Sequence, residues 1–123
     1  MIILDYQDRR PIYEQVVEKF RILILNGVLE PGAQMPSVRQ LAMELSVNPN
    51  TIQRAYMELE QEGYIYPVKG KGNYISDTEE LIRSTREGYY QEVRKLVEKG
   101  CQIGAEEEEV IRIVRNCYKE AGK

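Results

Sequence analysis

Residues 36–59 read PSVRQLAMELSVNPNTIQRAYMEL. Ser37 and Gln40 form a capping box: the Ser37 hydroxyl can accept from the Gln40 amide, while the Gln40 side chain reaches back. Val38, Leu41, Ala42 and Leu45 then fall at i, i+3, i+4 and i+7, the single apolar stripe of a short surface helix. Ser46-Val47 interrupts it. Asn48 suits an N-cap and Pro49 a first helical position, so a second helix starts at once. Ile52, Ala55, Tyr56 and Leu59 repeat the same spacing. Two short amphipathic helices joined by a tight turn predict a helix-turn-helix.

Downstream, Gly63 closes the second helix. Tyr64–Val68 and Asn73–Ser76 are rich in aromatic and β-branched residues and flank Lys69-Gly70-Lys71-Gly72, which predicts a hairpin and hence a wing behind the motif. Upstream, Ile2–Leu4 is an extended lead-in and Pro11 opens a helix at its first position. Ile12, Val16, Phe20 and Leu23 face one way along it, Asn26-Gly27 ends it, and Leu29-Glu30-Pro31-Gly32 is a turn. Beyond Thr78 a helix is expected over Leu81–Lys99, with Ile82, Tyr89, Val93, Leu96 and Val97 as its stripe and Gly100 as its stop. A last helix is expected over Ala105–Ala121, with Val110, Val114, Cys117 and Tyr118 on one side. The expected fold is α+β and mainly α: a winged helix-turn-helix over 1–77, followed by a short two-helix segment over 78–123.

Composition removes several function classes. Among 123 residues there is no histidine, so the commonest general base and metal ligand are missing. Neither a nucleophile motif nor a cofactor loop is present; no enzyme, no cofactor and no metal is expected. Glu106-Glu107-Glu108-Glu109 falls in the first turn of a helix, where acids complement the dipole. Cys101 and Cys117 are expected reduced and core-facing. The longest apolar run, Ile22–Leu25, cannot span a bilayer and no leader precedes it, so a cytoplasmic, non-membrane protein is expected.

Charge is the awkward property for a nucleic-acid partner. The chain carries 17 Lys and Arg against 20 Asp and Glu, a net of −3. Residues 1–77 alone hold 8 against 10, a net of −2, so there is no global basic field. The placement of charge is more favourable. On the second motif helix, Asn50, Arg54, Met57 and Gln61 point away from the core positions, with Thr51 and Gln53 on the flanks. Arg can pair with guanine, Asn and Gln with adenine, and Thr with a phosphate or a thymine methyl. The amides of Asn50 and Thr51 are expected to favour an anion at the helix start. Arg39 opens the first motif helix, and Lys69 and Lys71 flank the wing glycines. Glu44 is the single acid between Ser37 and Arg54, while Glu58, Glu60 and Glu62 sit at the far end of the second helix. Double-stranded DNA is the expected partner, bound by two copies and weakened by salt. A winged helix that binds protein or RNA is the rival.

These residues resemble a known family. Residues 36–42 (PSVRQLA), residues 47–56 (VNPNTIQRAY), Leu59-Glu60 through Ile65, and the wing 70–75 (GKGNYI) look like the DNA-binding domain of GntR regulators; residues 11–15 (PIYEQ) are similar to its YtrA and MocR branches. The resemblance implies DNA contacts at Ser37, Arg39, Asn50, Thr51, Gln53, Arg54, Lys71 and Gly72, to which the wing charge adds Lys69. Pro49 stands where many relatives carry a base-reading Arg, and Asn73 where they often carry Thr or Ser. The short tail is similar to the YtrA-like arrangement. That implies a homodimer through the C-terminal helices; Tyr89, Tyr90 and Tyr118 could line a ligand pocket, but packing within a dimer is the commoner use of such residues and is expected here. It also implies repression of the protein's own operon, often one for an ABC transporter, and leaves room for a small-molecule effector.

Overall fold

The computed structural model describes residues 2–122. In chain order it contains α1 (Ile12–Leu25), α2 (Val38–Leu45), α3 (Pro49–Gln61), β1 (Ile65–Val68), β2 (Gly72–Ile75), α4 (Glu79–Gln102) and α5 (Glu107–Glu120). The chain divides into two compact units, one running to Ile82 and one from Arg83.

The first unit is a winged helix-turn-helix. Ser37 caps α2 as expected, its Oγ accepting from the Gln40 amide at 3.0 Å. The other half of the expected box is absent: the Gln40 side chain donates to Glu44 Oε1 at 3.4 Å, one turn ahead on the same face. Ser46 takes a left-handed conformation at φ 57°, the one described non-glycine residue with positive φ. That residue makes the turn tight enough for Asn48 to cap α3 directly. On α3, Ile52, Ala55, Tyr56 and Leu59 are all buried, the stripe the spacing predicts. Pro11 is the N-cap of α1, not its first helical residue; its carbonyl accepts from the amides of Glu14 and Gln15.

The core gathers Val16, Phe20 and Ile24 of α1, Leu41 and Ala42 of α2, the α3 stripe, and Tyr64, Ile65 and Ile75 around the wing. Phe20 meets Tyr56 edge to face, with ring centroids 5.9 Å apart at 84°. The Tyr56 hydroxyl donates to the Pro36 carbonyl at 2.7 Å. Burial, helped by the nearby Glu44 carboxylate, pushes that phenol well above its ordinary pKa, so it stays protonated as a donor. Arg21 of α1 donates to both Glu62 oxygens at 2.8 and 3.1 Å, fastening α1 to the end of α3.

One buried polar residue organises the lead-in. Gln15 is 2% exposed; its Oε1 accepts from the Asp5 amide at 3.0 Å, and its Nε2 donates to the carbonyls of Asp5 and Arg10 at 3.1 and 3.3 Å. Gln15→Ala leaves those backbone groups unpaired and is expected to lower stability by about 1–3 kcal/mol. Thermal unfolding would check this, and an unchanged melting temperature would contradict the clamp.

The wing pairs antiparallel in the register Ile65↔Ile75, Tyr66↔Tyr74, Pro67↔Asn73 and Val68↔Gly72. Residues 32–35, expected to be only the end of a turn and the loop after it, add a third short extended piece. The Gly32 and Met35 amides donate to the carbonyls of Ile75 and Asn73, and the Ile75 amide donates to that of Ala33, each at 2.8 Å. The segment before α2 is thereby tied to the wing.

In the second unit, α4 runs through Gly100 instead of stopping there. The stop lies at Gly104, φ 77°, where the amides of Gly104 and Ala105 return to the carbonyls of Cys101 and Gly100 at 3.4 and 2.9 Å, the paired closure of a Schellman turn. A Cβ at Gly100 would sit 3.5 Å from that of Ala105, an ordinary contact, so the corner does not require glycine there. Helix α5 begins at Glu107 with Glu106 as its N-cap and three acids in its first turn. No residue of α4 or α5 is buried. Cys101 and Cys117 are free and exposed, contrary to the core-facing expectation, because at these positions α4 and α5 bury no residue within the single chain.

Candidate nucleic-acid interface

Helix α3 presents its outward face through its cap geometry. Asn48 Oδ1 accepts from the Asn50 amide at 2.8 Å and the Asn48 carbonyl from the Thr51 amide at 2.9 Å. Those two amides are therefore already engaged, and the expected anion site built from them is not available. What remains is side chains. Asn50, Gln53 and Arg54 are exposed and line one open concavity with Tyr13, Met57, Glu58 and Gln61. Thr51, half-buried, stands beside them on the same helix.

Ser37 and the exposed Arg39 border a separate shallow depression with Gln40, Met43 and Glu44. Lys69 and Lys71 lie in neither depression. They stand exposed on the wing turn, which closes through the Lys71 amide donating to the Val68 carbonyl at 2.9 Å. Gly70 and Gly72 have φ of 77° and 109°. At Gly72 the space for a Cβ is ordinary, 3.5 Å from Gln34 Nε2, so the positive φ is what reserves the position for glycine.

Two residues outside the expected set shape this surface. Gln34 donates from Nε2 to the Lys71 carbonyl at 2.8 Å, bracing the wing turn where it leaves Lys71. Tyr13 of α1 lies under Arg54, with the guanidinium carbon 3.8 Å from the ring centroid, well within cation–π range. Neither was legible as a site residue, because each acts through a contact with a distant part of the chain. The acids divide as well. Glu62 is paired with Arg21, whereas Glu58 borders the Arg54 concavity and is not kept clear of it as the linear order suggests. Among the described residues no His, Cys, Asp and Glu cluster could hold a metal ion.

Residues 12–75 match the model for bacterial regulatory proteins of the gntR family. The HTH-type transcriptional repressor YtrA of Bacillus subtilis (strain 168) is 47% identical over 77 residues, which cover 63% of this chain and 59% of that repressor. The chain thus matches less than two thirds of that relative's length. A solved GntR family transcriptional regulator from Listeria monocytogenes has a TM-score of 0.73 at 36% identity, covering 92% of this chain and 98% of its own. The crystal structure of AraR(DBD) in complex with operator ORE1 has a TM-score of 0.53 at 28% identity, covering 62% of this chain and 93% of its own. With its winged helix-turn-helix in place and the family model spanning that unit, the chain belongs to the GntR family of bacterial regulatory proteins, as a DNA-binding transcription regulator and not an enzyme.

Proposed function

We propose that the protein is a homodimeric repressor of a two-fold-symmetric operator. The observation that carries this reading is the outward face of α3, where the side chains of Asn50, Gln53 and Arg54 are exposed together beside one concavity. Their polar groups suit base edges in a major groove. Thr51 lies at the groove margin, Ser37 and Arg39 approach the backbone from α2, and Lys69, Lys71 and Gly72 approach it from the wing. Residues 1–77 form the binding domain and residues 78–123 the segment that pairs. Support for the pairing is the exposed apolar stripe of α4 and α5, where Leu96, Val114 and Tyr118 are 69%, 48% and 54% exposed in the single chain. A second copy would cover such a surface and set two recognition helices about a two-fold axis. The resemblance to the YtrA-like branch supports control of the protein's own operon, one encoding an ABC transporter. Among the described residues no helix is long and apolar enough to cross a membrane, and a cytoplasmic place of action goes with the reading.

Titration of the protein against the duplex upstream of its own gene and a scrambled duplex of equal length tests this. Arg39, Lys69 and Lys71 make six phosphate-directed cations per dimer. The plot of log affinity against log salt should therefore have a slope of about −5. A dimeric, folded protein that binds both duplexes equally would sink the operator reading in favour of a module for protein or RNA.

A further inference from the structure

We infer that Tyr13 is a specificity-determining positioning residue, whose ring holds the Arg54 guanidinium in the orientation from which it reads the operator. The inference rests on the proposed operator function. Arg54 is exposed, and an unrestrained arginine loses much rotamer freedom when it engages a base or phosphate. Tyr13 removes part of that loss in advance. Its ring lies 3.8 Å from the Arg54 guanidinium carbon, and its hydroxyl donates to Glu14 Oε1 at 3.3 Å. The ring itself is half-buried on α1, whose neighbouring residues Val16 and Val17 are in the core.

The chemistry of the contact matters more than its strength. A guanidinium is planar, with its N–H donors around the edge and its π face free. Stacking on a ring occupies a face, leaves the donors at the edge and does not neutralise the charge. A carboxylate would take both. Glu58 borders the same concavity, yet among the described residues no carboxylate pairs with Arg54. Asn50 and Gln53 share that concavity, so the held guanidinium and two amides form one polar reading surface. Among the described residues the wing lysines have no such brace on their side chains, and they suit phosphate, which demands little orientation.

The test uses the full-length dimer, the preferred upstream duplex and a scrambled duplex, with binding followed by fluorescence anisotropy. Tyr13→Phe keeps the ring and should bind within about 2-fold of wild type. Tyr13→Leu removes it and should weaken binding to the preferred duplex roughly 5- to 30-fold while leaving the scrambled duplex unchanged. Arg54→Ala should lose at least as much, and the double variant Tyr13→Leu/Arg54→Ala no more than Arg54→Ala alone, because one interaction is removed only once. Thermal melts accompany each variant; should Tyr13→Leu fail to fold, Tyr13→Met is a second ring-less side chain of similar size. Operator preference unchanged by loss of the ring, or losses that multiply in the double variant, would overturn the inference alone. Wild-type protein without any duplex preference would bring down the operator reading, and the inference with it.

Discussion

In the full-length protein, Leu96→Glu combined with Val114→Glu is expected to yield a monomer that binds the operator at least about 100-fold more weakly than wild type. Both side chains stand exposed on the apolar stripes of the charged helices α4 and α5. A carboxylate buried there without a partner costs several kcal/mol, and a two-fold interface would suffer each substitution twice. The binding loss follows from geometry alone. Each winged domain keeps all of its own contacts, but the second no longer binds at the high effective concentration that linkage supplies, which is typically worth 10²–10⁴. Light scattering together with operator titration measures both effects. A variant that remains dimeric at wild-type affinity would remove α4 and α5 from the interface.

Phe20→Ala is expected to lower the stability of the first unit by about 3–5 kcal/mol. Phe20 is fully buried at the centre of the core and gives its edge-to-face contact to Tyr56, a pairing that contributes about 0.5–1.5 kcal/mol of that total. Small domains have about 5–15 kcal/mol in all, so about a fifth or more of the margin is at stake. The damage should also spread to function. Tyr56 is the link that holds α3 to the segment ahead of α2 through the Pro36 carbonyl, and a looser Tyr56 loosens α3, the helix proposed to read DNA. Denaturant unfolding monitored by circular dichroism gives the value; a loss under about 1 kcal/mol would show that the unit is not organised around this ring.

The helix-turn-helix was legible because local chemistry and core packing agree there. The stripe from Ile52 to Leu59 repeats with the period of a helix, and Ser37, Asn48 and Pro49 mark the starts with groups that work within three residues. The hairpin was legible for the same reason, through Gly70 and Gly72. What escaped was long-range. The 32–35 segment is too short for alternation to show, and its partner lies some forty residues away on β2. Gly100 carried the usual sign of a helix stop, but a single glycine inside a helix is tolerable when a better left-handed position, Gly104, follows four residues later. Cys101 and Cys117 were misplaced because apolar periodicity reports a face that wants covering, not whether the same chain covers it. At the candidate site the side chains of α3 could be read from helical geometry, whereas Tyr13 and Gln34 could not. Their roles exist only once α1 lies beside α3 and the wing folds back toward residues 32–35.

The open face of α3 has a consequence for how this regulator can change. Asn50, Gln53 and Met57 are exposed and give no side-chain hydrogen bond to the fold among the described residues, so replacing them should alter stability by only about 0.5 kcal/mol or less. Arg54 is the exception, tied to Tyr13. A library randomised at those three codons would therefore remain almost entirely folded, and selection could act on DNA sequence preference alone. On the proposed operator reading, the same separation would let paralogues diverge toward new promoters without first acquiring compensating substitutions in the core.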